Sequence, residues 1–115
     1  MVEQSLRIGD QPGAQPGQRI LLLEGPLVIT TLFGFQSTVR SDTSRALVID
    51  FTGVPYVDSA GIGALVGAYV TRQKGGRSLA LVGVSERIHS ALKVTRVDQF
   101  FRFFDSISAA EQASS

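Results

Sequence analysis

ALVIDFTGVPYVDSAGIGALVGAYVTRQKGG, residues 46–76, is the stretch whose reading decides the fold. Ala46–Phe51 is a short apolar run, partly β-branched, behind the polar break Ser41–Ser44. Such a run bounded by turn residues is the pattern of a buried strand. Gly53-Val54-Pro55 then turns the chain. The segment from about Ser59 to Lys74 predicts a helix that closes on Gly75-Gly76, and Asp58 stands where its N-cap belongs. Ser78–Val82 is a further apolar run and predicts the next strand. Strand and helix alternate from residue 46 onward, which argues for parallel strands joined by helical crossovers.

Working outward, Arg19–Glu24 (RILLLE) predicts a second buried strand, ended by Gly25-Pro26. Leu6–Ile8 suits an edge strand. The segment Gly9–Gln18, in which QPG occurs twice, suits an exposed loop joining two antiparallel strands. Between Thr30 and Arg40, Leu32, Phe35 and Val39 form the stripe of an amphipathic helix. Ser85 is placed to cap a helix reaching about Val94, with Ile88, Ala91, Leu92 and Thr95 inward and Glu86, His89 and Lys93 outward. Gln99–Phe104 carries four of the seven phenylalanines and allows a short strand, and Ser106–Ala113 a last weak helix. The pattern is therefore an α/β domain, a mixed β-sheet with helices packed on it, in β-β-α-β-α-β-α order. A single domain over residues 5–110 is expected, with 1–4 and 111–115 as flexible termini.

Composition narrows the function classes. At 115 residues the chain has room for one core. Eleven basic against ten acidic residues, a formal charge of +1, give no electrostatic case for nucleic acid. Cysteine is absent, which excludes disulfides, thiolate catalysis and cysteine-ligated zinc. One histidine and dispersed carboxylates make a poor metal site, and no metal or cofactor is expected. No signal pattern or membrane-length apolar run is present, so a cytoplasmic protein without membrane insertion is the expectation. Catalysis is not expected either. Val57-Asp58-Ser59-Ala60-Gly61 lacks the first glycine of a nucleophile elbow, and His89, the only candidate base, is assigned to a solvated helix face.

On a helical wheel, Ile62, Leu65, Val66, Tyr69 and Val70 cluster on one side and are expected to face the core. The opposite side carries Ala60, Ala64, Gly67, Ala68 and Thr71, with Gly63 near the boundary and no charge before Arg72. A glycine inside a helix costs roughly 1 kcal/mol against alanine, so Gly63 and Gly67 imply a close approach to the backbone. Two occupants fit: a neighbouring helix of the same domain, or a partner protein on a flat, small-residue face. Ser59 falls at the exposed first position of the helix. Asp-Ser at a helix start is ordinary capping. It is also a place where a phosphoryl group leaves the host folded while adding nearly two negative charges.

The extended context resembles the STAS domain of bacterial anti-sigma factor antagonists. ALVIDF leads through Gly53-Val54 into Asp58-Ser59-Ala60-Gly61-Ile62-Gly63, and the second half, LALVGVSERIHSALKVTRVDQFFRFFDS, follows the family's order. The resemblance covers roughly residues 5 to 110 and implies an α/β, STAS-like (SpoIIAA-like) fold. It also implies phosphorylation at Ser59, with partner contacts through Asp58, Ser59, Ala60, Gly61, Gly63, Ala64 and Gly67. The implied partners are an anti-sigma factor with serine kinase activity, bound by the unphosphorylated form, and a phosphatase that restores it. One departure stands out. The family's Gly-x-Leu-Asp pattern reads Gly25-Pro26-Leu27-Val28 here, so an apolar residue replaces a carboxylate expected near the serine. Either a phosphate at Ser59 is then better tolerated or kinase recognition is altered. A second reading of the same face is a constitutive STAS subunit of a membrane transporter or its ATPase, with no phosphoserine switch. The phenylalanine cluster divides between core closure and an exposed apolar pair suited to a partner or a weak homodimer, because alternate side chains of a strand face opposite ways.

Overall fold

The computed structural model describes residues 5–114. Its five strands form one sheet in sequence order: β1 (Arg7–Pro12), β2 (Gln18–Glu24), β3 (Ala46–Gly53), β4 (Ser78–Val82) and β5 (Arg102–Phe104). The β1–β2 pair is antiparallel and every later pair is parallel. The helices are α1 (Leu32–Ser41), α2 (Ser59–Lys74), α3 (Glu86–Val94) and α4 (Ile107–Ala113), with a 3-10 turn at Asp98–Phe100 before β5. The mixed sheet and element order match the sequence expectation, and the aromatic segment supplies the short closing strand.

Alternation along the strands builds two cores. Leu21, Leu23, Leu47, Ile49, Phe51, Leu79 and Leu81 face α1, α2 and α3 and form the larger one. Ile20, Val48, Ala80 and Val82 face the other way, where Ala110 and Ile107 of α4 cover them. The phenylalanines divide accordingly: Phe101 and Phe103 join the large core, Phe104 packs with α4, and Phe100 stacks on Tyr69 with ring centroids 5.2 Å apart.

Several expectations need correction. β1 runs on to Pro12, through half of the expected loop, because an edge strand needs only one hydrogen-bonded side and tolerates proline there. α1 begins at Leu32 rather than Thr30, since Thr31 supplies the turn before it. α4 runs past residue 110, and its Glu111 carboxylate accepts the Ala14 N–H at 2.7 Å. Residues 1–4 and 115 lie outside the described residues. His89 is half-buried against the Phe103 ring, 4.6 Å between centroids, rather than on a solvated face.

The largest correction concerns α2. Its buried residues are Gly61, Ala64, Leu65, Ala68 and Arg72, a stripe rotated by roughly a third of a turn from the expected one. Ile62, Val66 and Tyr69 are only partly buried, and Val70 is 40% exposed. The helix packs against both α1 and the sheet, where close approach favours small side chains over large ones. Arg72 is 1% exposed and belongs to the interior. Its guanidinium pairs with Asp42 at 2.7 Å and donates to the carbonyls of Ser44 and Ser78, both at 2.9 Å. Burial depresses its pKa, and the Asp42 carboxylate opposes that shift. The pair ties the end of α2 to the α1–β3 connection and to the start of β4.

Candidate functional site

Asp58 caps α2 with one carboxylate oxygen, Oδ1, which accepts the Gly61 N–H at 2.8 Å. Oδ2 accepts the Ile29 N–H at 3.0 Å, from the loop between β2 and α1. Burial alone would raise its pKa. The N–H donors of Ile29 and Gly61, with those of Asp58 itself and Ala60, more than offset that effect and hold the carboxyl below the usual range. The same loop is joined to the start of α2 by a parallel bridge between Leu27 and Val57. Thr31 knits it internally, its Oγ1 accepting the Val28 N–H at 2.9 Å and donating to the Pro26 carbonyl at 2.8 Å. Gly61 sits where this loop crosses the helix. A Cβ there would overlap the Leu27 carbonyl, so the close approach inferred from glycine lies at Gly61.

Gly63 and Gly67 behave otherwise. A Cβ on either would meet nothing within 4 Å, and both residues are exposed. The neighbouring-helix explanation therefore fails at these two positions. Together with Ser59, also exposed, they lie along the outward face of α2, at wheel angles within about 80° of one another. Asp58 and Ala60 are partly exposed at its margin. Gly61 and Ala64 are buried.

Three large apolar residues are exposed on α2, on the β2–α1 loop and in the first turn of α1: Val70, expected in the core, and Ile29 and Phe33, neither expected at the site. Ile29 is 59% exposed and stands beside the helix start through its bond to Asp58. Phe33, in the first turn of α1, is 73% exposed, and Val70 lies about two turns beyond Gly63 on the outer side of α2. The signal for Phe33 was available, since it falls off the Leu32–Phe35–Val39 stripe. Ile29 offered none, because loop geometry decides its exposure. Val28 is buried, so the position of the missing acidic residue presents no charge to Ser59. On the other flank, the Arg87 guanidinium lies 5.4 Å above the ring of Tyr56, in the turn that leads to Asp58.

The whole is a flat, uncharged strip with apolar flanks, ending in an exposed hydroxyl beside an ionised carboxylate. Such a surface suits contact with another protein. Among the described residues no cluster of three or more histidine or acidic side chains is placed to hold a metal ion.

The family model described as the STAS domain matches residues 11–110. Anti-sigma-B factor antagonists of Staphylococcus aureus are 32% identical over 57 residues, 50% of this chain and 53% of theirs, so the chain spans about half the length of the curated relatives it matches. Among solved structures, an anti-sigma factor antagonist from Mycobacterium paratuberculosis superposes with a TM-score of 0.82 at 19% identity, over 95% of this chain and 93% of that one. A sulfate transporter family protein from Wolinella succinogenes does so with a TM-score of 0.72 at 26% identity, over 85% and 84%. With a family match that takes in the sheet from the end of β1 and the whole of α2, the chain belongs to the STAS domain family.

Proposed function

We propose that the chain is a protein-binding switch of the anti-sigma factor antagonist type, acting in the cytoplasm and without catalysis of its own. Unphosphorylated, it docks an anti-sigma factor with serine kinase activity through Ser59, Gly63 and Gly67 on α2, with Ile29 and Phe33 as apolar anchors. Phosphorylation of Ser59 ends the contact and a phosphatase restores it. The observation that carries this reading is the open outward face of α2: two helix-interior glycines with nothing packed on them, in line with an exposed serine. The local identity to the Staphylococcus aureus antagonists supports it.

Physical chemistry gives the switch its sign. A phosphoryl group on Ser59 brings about −1.5 to −2 charges to a helix start, where the macrodipole accommodates an anion. The host therefore keeps its fold. A partner pressed on the apolar strip would have to desolvate that charge, next to ionised Asp58, and is expelled. Valine at position 28, in place of the family's acidic residue, leaves one carboxylate fewer to repel the phosphate.

The test is incubation with ATP and the kinase encoded beside the gene, with mass spectrometry at Ser59 and a binding assay before and after. Stoichiometric modification with loss of binding is the expected result. The likeness to the Wolinella succinogenes transporter family protein favours a second reading, a constitutive transporter subunit. Tight binding to a transporter or its ATPase with Ser59 unmodified would establish that reading and overturn the first.

A further inference from the structure

Between α1 and α2, beside Gly67, lies an open cleft of about 100 Å³. Phe35, Ala64 and Ala68 line it from the buried side, and Arg40, Gly67 and Thr71 from the exposed side. Pockets for small molecules usually measure about 300–1,000 Å³. This one has the capacity of a single side chain. It is continuous with the outward face of α2, because Gly67 belongs to both. A Cβ on Gly67 would meet nothing within 4 Å, so no side chain of this domain covers that border.

The charge at the cleft has one sign. No carboxylate lines it, and Arg40 does. The other arginines of the fold are mostly engaged. Arg7, Arg19 and Arg72 form ion pairs, and Arg45 and Arg77 donate to main-chain carbonyls. Arg87 and Arg102 lie over aromatic rings. Arg40 has no such engagement among the described residues. Its place in the last turn of α1 suits the negative end of the helix dipole. That accounts for a basic residue there, but not for the cleft beside it. The docking strip therefore differs in charge along its length. Ionised Asp58 stands at the Ser59 end, and the unmatched cation borders Gly67, about 12 Å further along the axis of α2.

We propose that the cleft receives one acidic side chain of the protein docked on α2, its methylene stem against Phe35 and Ala68 and its carboxylate paired with Arg40. Resting on the docking role of α2, this assignment also orients the docked segment, whose acidic residue is turned away from Asp58 and Ser59.

The test uses the kinase encoded beside the gene, with binding measured by calorimetry at several salt concentrations. Arg40→Gln is expected to weaken binding about tenfold, as the loss of one charge-assisted contact. Arg40→Glu is expected to weaken it about a hundredfold, because like charges then meet. Arg40 is exposed, so both variants keep the fold and melt close to the parent. The parent's affinity should fall with added salt more steeply than that of Arg40→Gln. A purely structural role at the helix end would lower the melting temperature and leave the two salt dependences equal. Changing the partner's surface glutamates and aspartates to lysine, one at a time, should yield one variant that binds Arg40→Glu more tightly than it binds the parent chain. Undiminished affinity in Arg40→Gln, or a series in which no partner variant recovers Arg40→Glu, would overturn the proposal. If Ser59→Asp still abolishes binding in that case, the docking role of α2 stands without it. No binding of the kinase by the parent chain would overturn both together.

Discussion

Ser59 and Asp58 are adjacent in sequence and differ in task. Asp58 is structural: one carboxylate joins the α2 cap to the Ile29 loop. Asp58→Ala removes a side-chain cap and is expected to cost about 0.5–2 kcal/mol, measured by urea unfolding. Its pKa gives a pH signature. The folded value is lowered from 3.8, so the unfolded chain binds the proton more readily. The stabilisation is complete above 3.8 and is lost as pH falls through the lowered value. Asp58→Asn, scanned from pH 6 downward by thermal melting, should lose less stability with acid than the parent; an identical acid limb would remove this carboxylate from the account. Ser59 has no comparable structural duty. Ser59→Asp should leave stability within about 1 kcal/mol while abolishing partner binding, since an exposed first-turn position tolerates an acid. Both residues were legible in the sequence, because capping is a local signal. The role of Arg72 was not: its carboxylate partner is 30 positions away, and nothing near it in sequence indicates burial.

At the scale of the element, α2 shows where periodicity misleads. The wheel placed the large apolar residues inward, yet Ala64 and Ala68 are buried and Val70 is not. Residue size identifies the core side only when a helix has room around it. Pressed by α1 and by the Leu27 carbonyl at Gly61, α2 turns its small residues in and leaves Gly63 and Gly67 facing open space. The strands were easier, since a period of two assigns both faces of β2 and β3 once their ends are known. A glycine with no steric reason in a helix is a stability loss without a structural return. Gly63→Ala and Gly67→Ala are each expected to raise stability by about 0.5–1 kcal/mol, seen as a higher melting temperature. The same variants should weaken partner binding, because each methyl stands where the partner's surface is to fit. Stabilised variants with undiminished binding would separate the glycines from docking.

At the scale of the molecule, the large core lies beneath α1–α3, and the reverse of the sheet depends on one short helix. The antiparallel β1 and the brevity of β5 leave the parallel centre, β2 to β4, as the rigid platform on which both ends of α2 are set. At one end the β2–α1 loop holds Asp58, next to Ser59; at the other Arg72 fixes the helix to Asp42 and to the Ser78 carbonyl at the start of β4. The sequence disclosed the platform but not these ties, which join residues distant along the chain. Their energetics differ. Removing Arg72 leaves Asp42, largely buried, with only the more distant Arg19 at 3.8 Å as counter-charge, a loss of about 3 kcal/mol. That is a large share of the 5–15 kcal/mol by which domains of this size are stable. Arg72→Met is therefore expected to unfold at markedly lower urea concentration. Arg72→Met with Asp42→Leu should recover much of the difference, because an apolar pair of similar bulk avoids the desolvation that each ion alone incurs. If the double variant is no more stable than Arg72→Met, the hydrogen bonds from Arg72 to Ser44 and Ser78 carry the tie rather than its charge.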